Sequence, residues 1–258
     1  AELSKKFGKL SLSEVLQPAI EYAENGYPVS PTLGKYWKGA YNAYKKSCTT
    51  EEFTHWFETF APDGRAPEIG ETWSSKGHAD TLRQIGETNG EAFYRGEIAQ
   101  KIADFSKQHN GFLTYDDLAA YQPEWVQPIK VNYRGYDVWE IPPNGQGIVA
   151  LMALNMLKED TFTERDSLET YHKQIEAMKL AFADAKKYVS DTTTMTHTAE
   201  ELLSDSFAKE RRNLITETAL TPEPGTPPKG GTVYLATADG EGNMVSFIQS
   251  NYMGFGSG

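Results

Sequence analysis

The stretch "KGGTVYLATADGEGNMVSFIQSN", residues 229–251, has the pattern of two β-strands around a short loop. A five-residue loop, Asp239–Asn243, which contains two glycines, is a reasonable hairpin connection. This loop length sets a register in which Thr232 lies opposite Ser250. Directly opposed residues of an antiparallel pair have Cβ atoms about 4.5–5.5 Å apart. The sequence therefore predicts two hydroxyl groups within hydrogen-bonding reach at one end of the sheet.

A threonine at this position has a known route to becoming a nucleophile. Its hydroxyl is weak unless a base lies beside it, and the α-amino group of a chain-leading threonine acts as that base. A cut between Gly231 and Thr232 would create this amine, and the Thr232 hydroxyl could itself attack the Gly231 carbonyl while Ser250 orients it. Residues 216–231 contain four prolines and three glycines, a composition that favours a mobile connector.

The same residues also fit a simpler structure. A Gly-Gly turn can lead into an ordinary hairpin in which Thr232 is a β-branched strand residue. The tripeptide Gly-Gly-Thr does not separate the two interpretations, so a wider pattern has to decide between them.

Composition excludes some classes of function. The 258 residues carry a net charge of −11, whereas nucleic-acid-binding proteins normally show a basic footprint. The longest apolar run, residues 148–157, is too short to span a bilayer, and the five histidines lack the spacing of a metal site. The single cysteine, Cys48, excludes an intrachain disulfide. We expect no nucleic-acid partner, no membrane segment, no metal and no other cofactor.

Helix signals dominate the chain before residue 213. Residues 11–26 predict a helix with Ser11 and Ser13 as N-cap candidates, and Glu14 stands three residues after Ser11, as in a capping box. Thr114 begins a short helix with two acidic residues in its first turn.

Residues 168–189 predict the most regular helix, while Arg134-Gly135 predicts the turn of a separate hairpin. The helix carries an apolar stripe at helical spacing that we expect to pack in the core. The stripe consists of Leu168, Tyr171, Ile175, Met178, Phe182, Ala185 and Val189.

Five longer blocks of sequence, which follow one another along the chain, provide this wider pattern. They read "LSLSEVLQPAIEYAENGYPVS", "AFYRGEIAQKIADFSKQHNGFLTYDDLAAYQPEW", "YRGYDVWEIPPNGQG", "IEAMKLAFADAKKYVSD" and "GGTVYLATADGEGNMVSFIQSNYMGFGSG". Each resembles a block of the γ-glutamyltransferase family (glutathione hydrolases), which are N-terminal-nucleophile hydrolases. The resemblance covers nearly the whole chain and is nearest to the bacterial γ-glutamyltransferase-like branch that is sometimes labelled cephalosporin acylase.

The resemblance implies an α+β fold, namely an α/β/β/α sandwich of four layers with a predominantly helical large-subunit portion. It implies that residues 1–213 are the back part of the large subunit and that residues 214–231 are a mobile connector ending at the autocleavage point. Residues 232–258 then begin the small subunit, and the remaining segments of the same proenzyme are its partners.

The resemblance also implies roles for individual residues. Thr232 matches the family nucleophile, and Gly231–Thr232 matches the autocleavage site. Ser250 stands where the family has a threonine that hydrogen-bonds the nucleophile, and it keeps the hydroxyl. Tyr252 stands where the family has Asn or Glu against the glutamyl group. Because tyrosine donates a hydrogen bond but supplies no carboxylate, this departure leaves room for another acyl group.

The activity implied is cleavage of γ-glutamyl amides such as glutathione, with transfer of the acyl group to water or to an amino acid or peptide. A cephalosporin (glutaryl) acylase and a non-catalytic family scaffold are the alternatives. Family enzymes place an arginine upstream of this stretch, and an aspartate, a Ser-Ser pair and a Gly-Gly oxyanion element downstream. Losing one oxyanion donor costs roughly 3–4 kcal/mol in rate, so we expect the 258 residues alone to be inactive or nearly so.

Overall fold

The chain forms two units in the computed structural model, which describes residues 1–222, 232–250 and 255. The first unit holds residues 1–123 together with the described residues after 229, and the second begins at Glu124. Helices dominate, and within the described residues the strands pair into three separate two-stranded antiparallel sheets. The helix-rich α+β content agrees with the expectation from sequence, while the four-layer sandwich stays a prediction.

The first unit is mainly helical and ends in a hairpin. Its elements are α1 (Glu2–Phe7), α2 (Leu12–Asn25), β1 (Tyr27–Pro28), α3 (Pro31–Ser47), a 3₁₀ turn (Glu51–Phe53), α4 (Thr54–Phe60), β2 (Thr72–Trp73), α5 (Lys76–Glu87), α6 (Glu91–Tyr94), α7 (Glu97–Gln108), α8 (Tyr115–Ala120), β5 (Thr232–Ala238) and β6 (Met244–Ser250).

The start of α2 shows how local sequence sets a helix boundary. The Ser11 hydroxyl accepts a hydrogen bond from the Glu14 N–H at 3.2 Å, and the Glu14 carboxylate accepts one from the Ser11 N–H at 2.9 Å. This capping box confirms Ser11 as the N-cap. Helix α2 packs against α5, where Gly86 allows close approach, because a Cβ there would lie 3.0 Å from the Ser13 Cα.

The second unit surrounds one apolar helix. Its elements are β3 (Ile129–Tyr133), β4 (Tyr136–Glu140), α9 (Gly147–Leu157), α10 (Leu168–Tyr188), α11 (Ala199–Leu202) and α12 (Asp205–Arg212). Helix α9 is buried on nearly all sides, as expected for a helix without a polar face, and α10, α12 and β3 pack around it. The predicted turn joins β3 to β4, with positive φ at both Arg134 and Gly135.

The apolar stripe of α10 is the main correction to the sequence analysis. The helix forms as predicted, but Leu168, Tyr171 and Ile175 are 88%, 48% and 56% exposed. The buried face instead carries smaller residues, including Ala177 and Ala181, which are 0% exposed. Small side chains let α10 approach α9 closely, so the larger apolar side chains of its first turns point to solvent. Only the C-terminal part of the stripe packs against the core.

Candidate active site

The β5–β6 hairpin has the register that the sequence predicts. Thr232 is the first residue of β5 and pairs with Ser250, the last residue of β6. At the other end of the hairpin Ala238 pairs with Met244. This confirms the predicted loop length and the predicted pairing of positions 232 and 250, because a slip of one residue would have moved every side chain to the other face.

The carboxylate of Asp239 stabilises the conformation of the loop between β5 and β6. Asp239 Oδ1 accepts hydrogen bonds from the Glu241 N–H at 2.9 Å and the Asn243 N–H at 3.0 Å, and Oδ2 accepts one from Asn243 Nδ2 at 2.8 Å. Gly242 takes φ +85°, a conformation that favours glycine. Hydrogen bonds from the Asn243 side chain and backbone hold the pKa of Asp239 below its usual range.

The hairpin lies open to solvent. Every residue of β6 is exposed, including Ser250 at its end. The Tyr234 hydroxyl lies 3.1 Å from the Ser246 hydroxyl across the two strands. The structure thus places an exposed serine directly across the sheet from the first residue of β5, at a position that other groups can reach.

The other predicted site residues lie beyond what the structure describes. Gly231 and Tyr252 fall outside the described residues, and only the strand position of Thr232 is described. The structure therefore brings together the backbone positions of Thr232 and Ser250, and the roles of all four residues stay predictions.

Three side chains of α10 contact the first residues of the predicted connector, residues 214–231. The Glu176 carboxylate accepts hydrogen bonds from Lys179 Nζ at 2.8 Å and from the Leu220 N–H at 3.0 Å, and Lys179 Nζ also donates to the Leu220 carbonyl. His172 Nε2 lies 2.7 Å from the Thr216 carbonyl oxygen. The first part of segment 214–231 is thus fastened to α10.

The pKa of Glu176 lies below its usual value although the side chain is buried. Its side chain is 2% exposed. Burial raises the pKa of Glu176, but the hydrogen bonds from Lys179 and the Leu220 N–H outweigh that effect and leave the pKa below its usual value. A Glu-x-x-Lys pair is the only sequence signal for this contact, and such pairs are common on exposed helix faces.

The described residues contain neither a metal-binding cluster nor a membrane-spanning helix. Across residues 1–222, 232–250 and 255, no group of three or more His, Cys, Asp or Glu side chains is placed to hold a metal ion. In the same part of the chain, no helix combines the length and apolar character needed to cross a membrane.

Comparison with known proteins gives the family. Residues 1–258 match the protein family described as Gamma-glutamyltranspeptidase. The glutathione hydrolase-like YwrD proenzyme of Bacillus subtilis (strain 168) is 37% identical over 255 residues, which are 98% of this chain and 47% of that protein. The chain spans about half the length of this relative.

Solved structures agree with the family match. The crystal structure of cephalosporin acylase from Bacillus halodurans has a TM-score of 0.94 and 63% identity, covering 99% of this chain and 47% of that one. The γ-glutamyltranspeptidase of Helicobacter pylori has a TM-score of 0.77 and 27% identity, covering 88% and 64%. Sequence and structure agree over almost the entire chain, which therefore belongs to the γ-glutamyltranspeptidase family.

Proposed function

We propose that this chain is part of a proenzyme that cuts itself before Thr232 and then uses the Thr232 hydroxyl as the nucleophile of an amidase or acyltransferase. The observation that carries the proposal is the register of the hairpin, in which Thr232 begins a strand directly opposite Ser250. A hydroxyl nucleophile acts only with a base beside it and a partner that orients it. Membership of a family whose relatives are proenzymes supports the same reaction class.

The processing step needs no group beyond the chain and water. The Thr232 hydroxyl oxygen attacks the Gly231 carbonyl carbon, and the amide bond becomes an ester as the departing Thr232 nitrogen takes up the hydroxyl proton. Water then hydrolyses the ester, which leaves a carboxylate on Gly231 and a free α-amino group on Thr232. The Ser250 hydroxyl orients the attacking oxygen.

The new amine is the base for turnover. It accepts the Thr232 hydroxyl proton while the oxygen attacks the carbonyl carbon of an amide substrate, and the proton then passes to the departing amine. Water, or the amine of an amino acid or peptide, attacks the resulting ester. This second step releases the acid or the new amide and restores the hydroxyl.

Two acyl groups are candidates for the substrate. A γ-glutamyl amide such as glutathione follows from the family. The second candidate, a glutaryl side chain of a cephalosporin, is favoured by the 63% identity to the protein described as cephalosporin acylase. Tyr252 supports the second candidate, because its side chain has no carboxylate to pair with the glutamyl α-amino group.

The proposal includes the fold and processing of the whole precursor. We propose a four-layer α/β/β/α sandwich, with residues 1–213 and 214–231 in the large subunit and residues 232–258 beginning the small one. A two-stranded hairpin is only marginally stable in water unless further strands or a helix cover it. The exposed strand β6 therefore supports an arrangement in which other parts of the precursor pack against it.

Intact-mass analysis tests the processing. We expect the full-length precursor to yield a fragment that begins at Thr232, the Thr232→Ala variant to stay whole, and the control Thr237→Ala in the same strand to be cut normally. A single species near 28.8 kDa from the 258-residue chain would show that it does not cut itself in isolation. A precursor that is cut at another bond, or cut equally in Thr232→Ala, contradicts the proposal.

Parallel assays with γ-glutamyl-p-nitroanilide and a glutaryl amide test the reaction. Thr232→Ala should lower the rate by several orders of magnitude, as expected for removal of a nucleophile. Ser250→Ala should lower kcat by about a hundredfold, the cost of misplacing a reacting group, while Ser250→Thr should retain activity. The faster substrate identifies the acyl group. Turnover of neither substrate by the processed precursor would favour a non-catalytic scaffold.

A further inference from the structure

An aromatic cluster in the first unit contains one ring from the far end of the chain. The cluster consists of Trp37, Trp56, Phe60, Trp73 and Phe255. Its neighbouring ring centroids lie 4.8–6.0 Å apart, mostly edge to face or tilted. These are the separations and orientations at which aromatic pairs attract one another beyond their apolar burial.

The rings of α3, α4 and β2 are held in place by their own part of the chain. Trp37 is 2% exposed, and its Nε1 donates a hydrogen bond to the Phe60 carbonyl at 2.9 Å. Trp73 Nε1 donates to the Thr59 carbonyl at 3.2 Å. The Trp56 indole N–H is buried and has no acceptor within the described residues, so ring packing is what positions Trp56.

Phe255 lies among these rings. Its centroid is 4.8 Å from that of Phe60, 5.3 Å from that of Trp56 and 5.6 Å from that of Trp37. The Phe255 side chain is half-buried in the same apolar core. In sequence, however, Phe255 follows Thr232, whereas every other ring of the cluster lies far before Gly231.

The hairpin between Thr232 and Phe255 offers weaker attachment. All of β6 is exposed, so the strand buries little apolar surface in this unit. The ion pair between Lys9 and Glu241 has its nitrogen and oxygen 3.8 Å apart, with both side chains mostly exposed. Such surface pairs contribute little to stability. Within the described residues, Phe255 thus makes the well-packed apolar contact between the chain after Thr232 and the chain before Gly231.

We propose that the aromatic cluster is the anchor that keeps the chain after Thr232 attached to the chain before Gly231 once the bond between them is broken. The anchor has a function only after the proposed self-cleavage, and in that respect it rests on the proposed function. Its ring contacts are already present in the uncut chain. The cluster binds one aromatic side chain, and Phe255 is that side chain.

The test separates the anchor from self-cleavage by cutting the chain elsewhere. A protease recognition sequence is inserted between Gly225 and Thr226 of the Thr232→Ala chain, and the purified protein is cut and passed over a size-exclusion column. We expect the two pieces to elute together. In Phe255→Ala they should separate, with at least a tenfold weaker association, while Phe255→Leu should give an intermediate loss. The matched control is Phe112→Ala, because Phe112 is 99% exposed.

Two further readouts complete the test. Phe255→Ala should shift tryptophan emission to longer wavelength in the uncut chain, because Trp37 and Trp56 lose their covering ring, and should leave the helical circular dichroism unchanged. Pieces of Phe255→Ala that stay together as tightly as the parent overturn the proposal. A loss of helix in uncut Phe255→Ala also overturns it, since Phe255 would then belong to the folding core. Neither result bears on whether Thr232 is a nucleophile.

Discussion

Asp239 is the side chain that accepts the hydrogen bonds within the β5–β6 loop. The Asp239 carboxylate accepts three hydrogen bonds within the loop and so holds the five-residue connection in one conformation. Because the pairing propagates from the loop along both strands, a looser loop weakens the register at the far end, where Thr232 lies opposite Ser250.

We predict that Asp239→Ala increases amide hydrogen exchange across β5 and β6 several-fold. Asp239→Asn is the matched control, since its carbonyl oxygen still accepts the backbone hydrogen bonds, and it should exchange more slowly than the alanine variant. Equal exchange in the alanine variant and the parent would show that the loop does not depend on this carboxylate.

The same carboxylate gives the hairpin a pH dependence. Hydrogen bonds from Asn243 lower the pKa of Asp239 in the folded chain, so the charged form stabilises the hairpin above the ordinary carboxyl pKa. This stabilisation is lost as the pH falls from that value through the lowered one. The protection factors of the β6 amides, which correct for the intrinsic pH dependence of exchange, should therefore fall on acidification in the parent, and Asp239→Asn should lack this component.

Helix α10 shows what periodicity does and does not determine. The apolar spacing over 168–189 correctly predicts a helix, because that spacing repeats with the helical turn. It does not determine which face is buried, since α10 carries both a stripe of large apolar residues and a strip of alanines. Packing against α9 selected the alanines. The buried face also carries Glu176, which fastens Leu220.

We predict that Glu176→Gln lowers the free energy of unfolding by about 2 kcal/mol, because a buried hydrogen-bonded charge loses its ion pair. The control on the same helix is Glu169→Gln. Glu169 pairs with Lys173 at 2.6 Å, but its side chain is 71% exposed, so the cost should be about 0.5 kcal/mol. Urea denaturation measures both. Equal losses would mean that Glu176 contributes no more than a surface pair.

At the scale of the whole molecule, two of the exposed apolar surfaces among the described residues bear on the rest of the precursor. One is the hairpin, and the other is the start of α10. The exposed residues are Tyr234, Leu235, Met244, Val245, Phe247, Ile248, Leu168, Tyr171 and Ile175. Large exposed apolar patches mark surfaces that bind a partner or cause association. The chain spans 47% of its curated relative, and we propose that the rest of the precursor covers these patches.

We predict that the 258-residue chain binds the dye ANS more strongly than the full-length precursor does. Tyr234 and Ile248 are cross-strand partners, each 61% exposed, and replacing both with threonine should reduce the dye signal of the short chain while preserving strand propensity. Tyr136→Thr on β4 is the control. Equal dye binding by chain and precursor would place the patches at the surface of the finished protein.

Sequence alone determined the features that depend on residues a few positions apart. The capping box at Ser11, the turn at Arg134-Gly135 and the loop after Ala238 were all predictable, because each depends on hydrogen bonds or backbone angles within about five residues. Once the loop length was known, the position opposite Thr232 followed by counting.

Only the tertiary structure decided which groups meet across long separations. It selected the buried face of α10, joined Glu176 to Leu220 and set Phe255 among rings that lie near the start of the chain. No local pattern encodes these contacts, because the free energy of burying a side chain depends on the shape and polarity of whatever the rest of the fold brings against it.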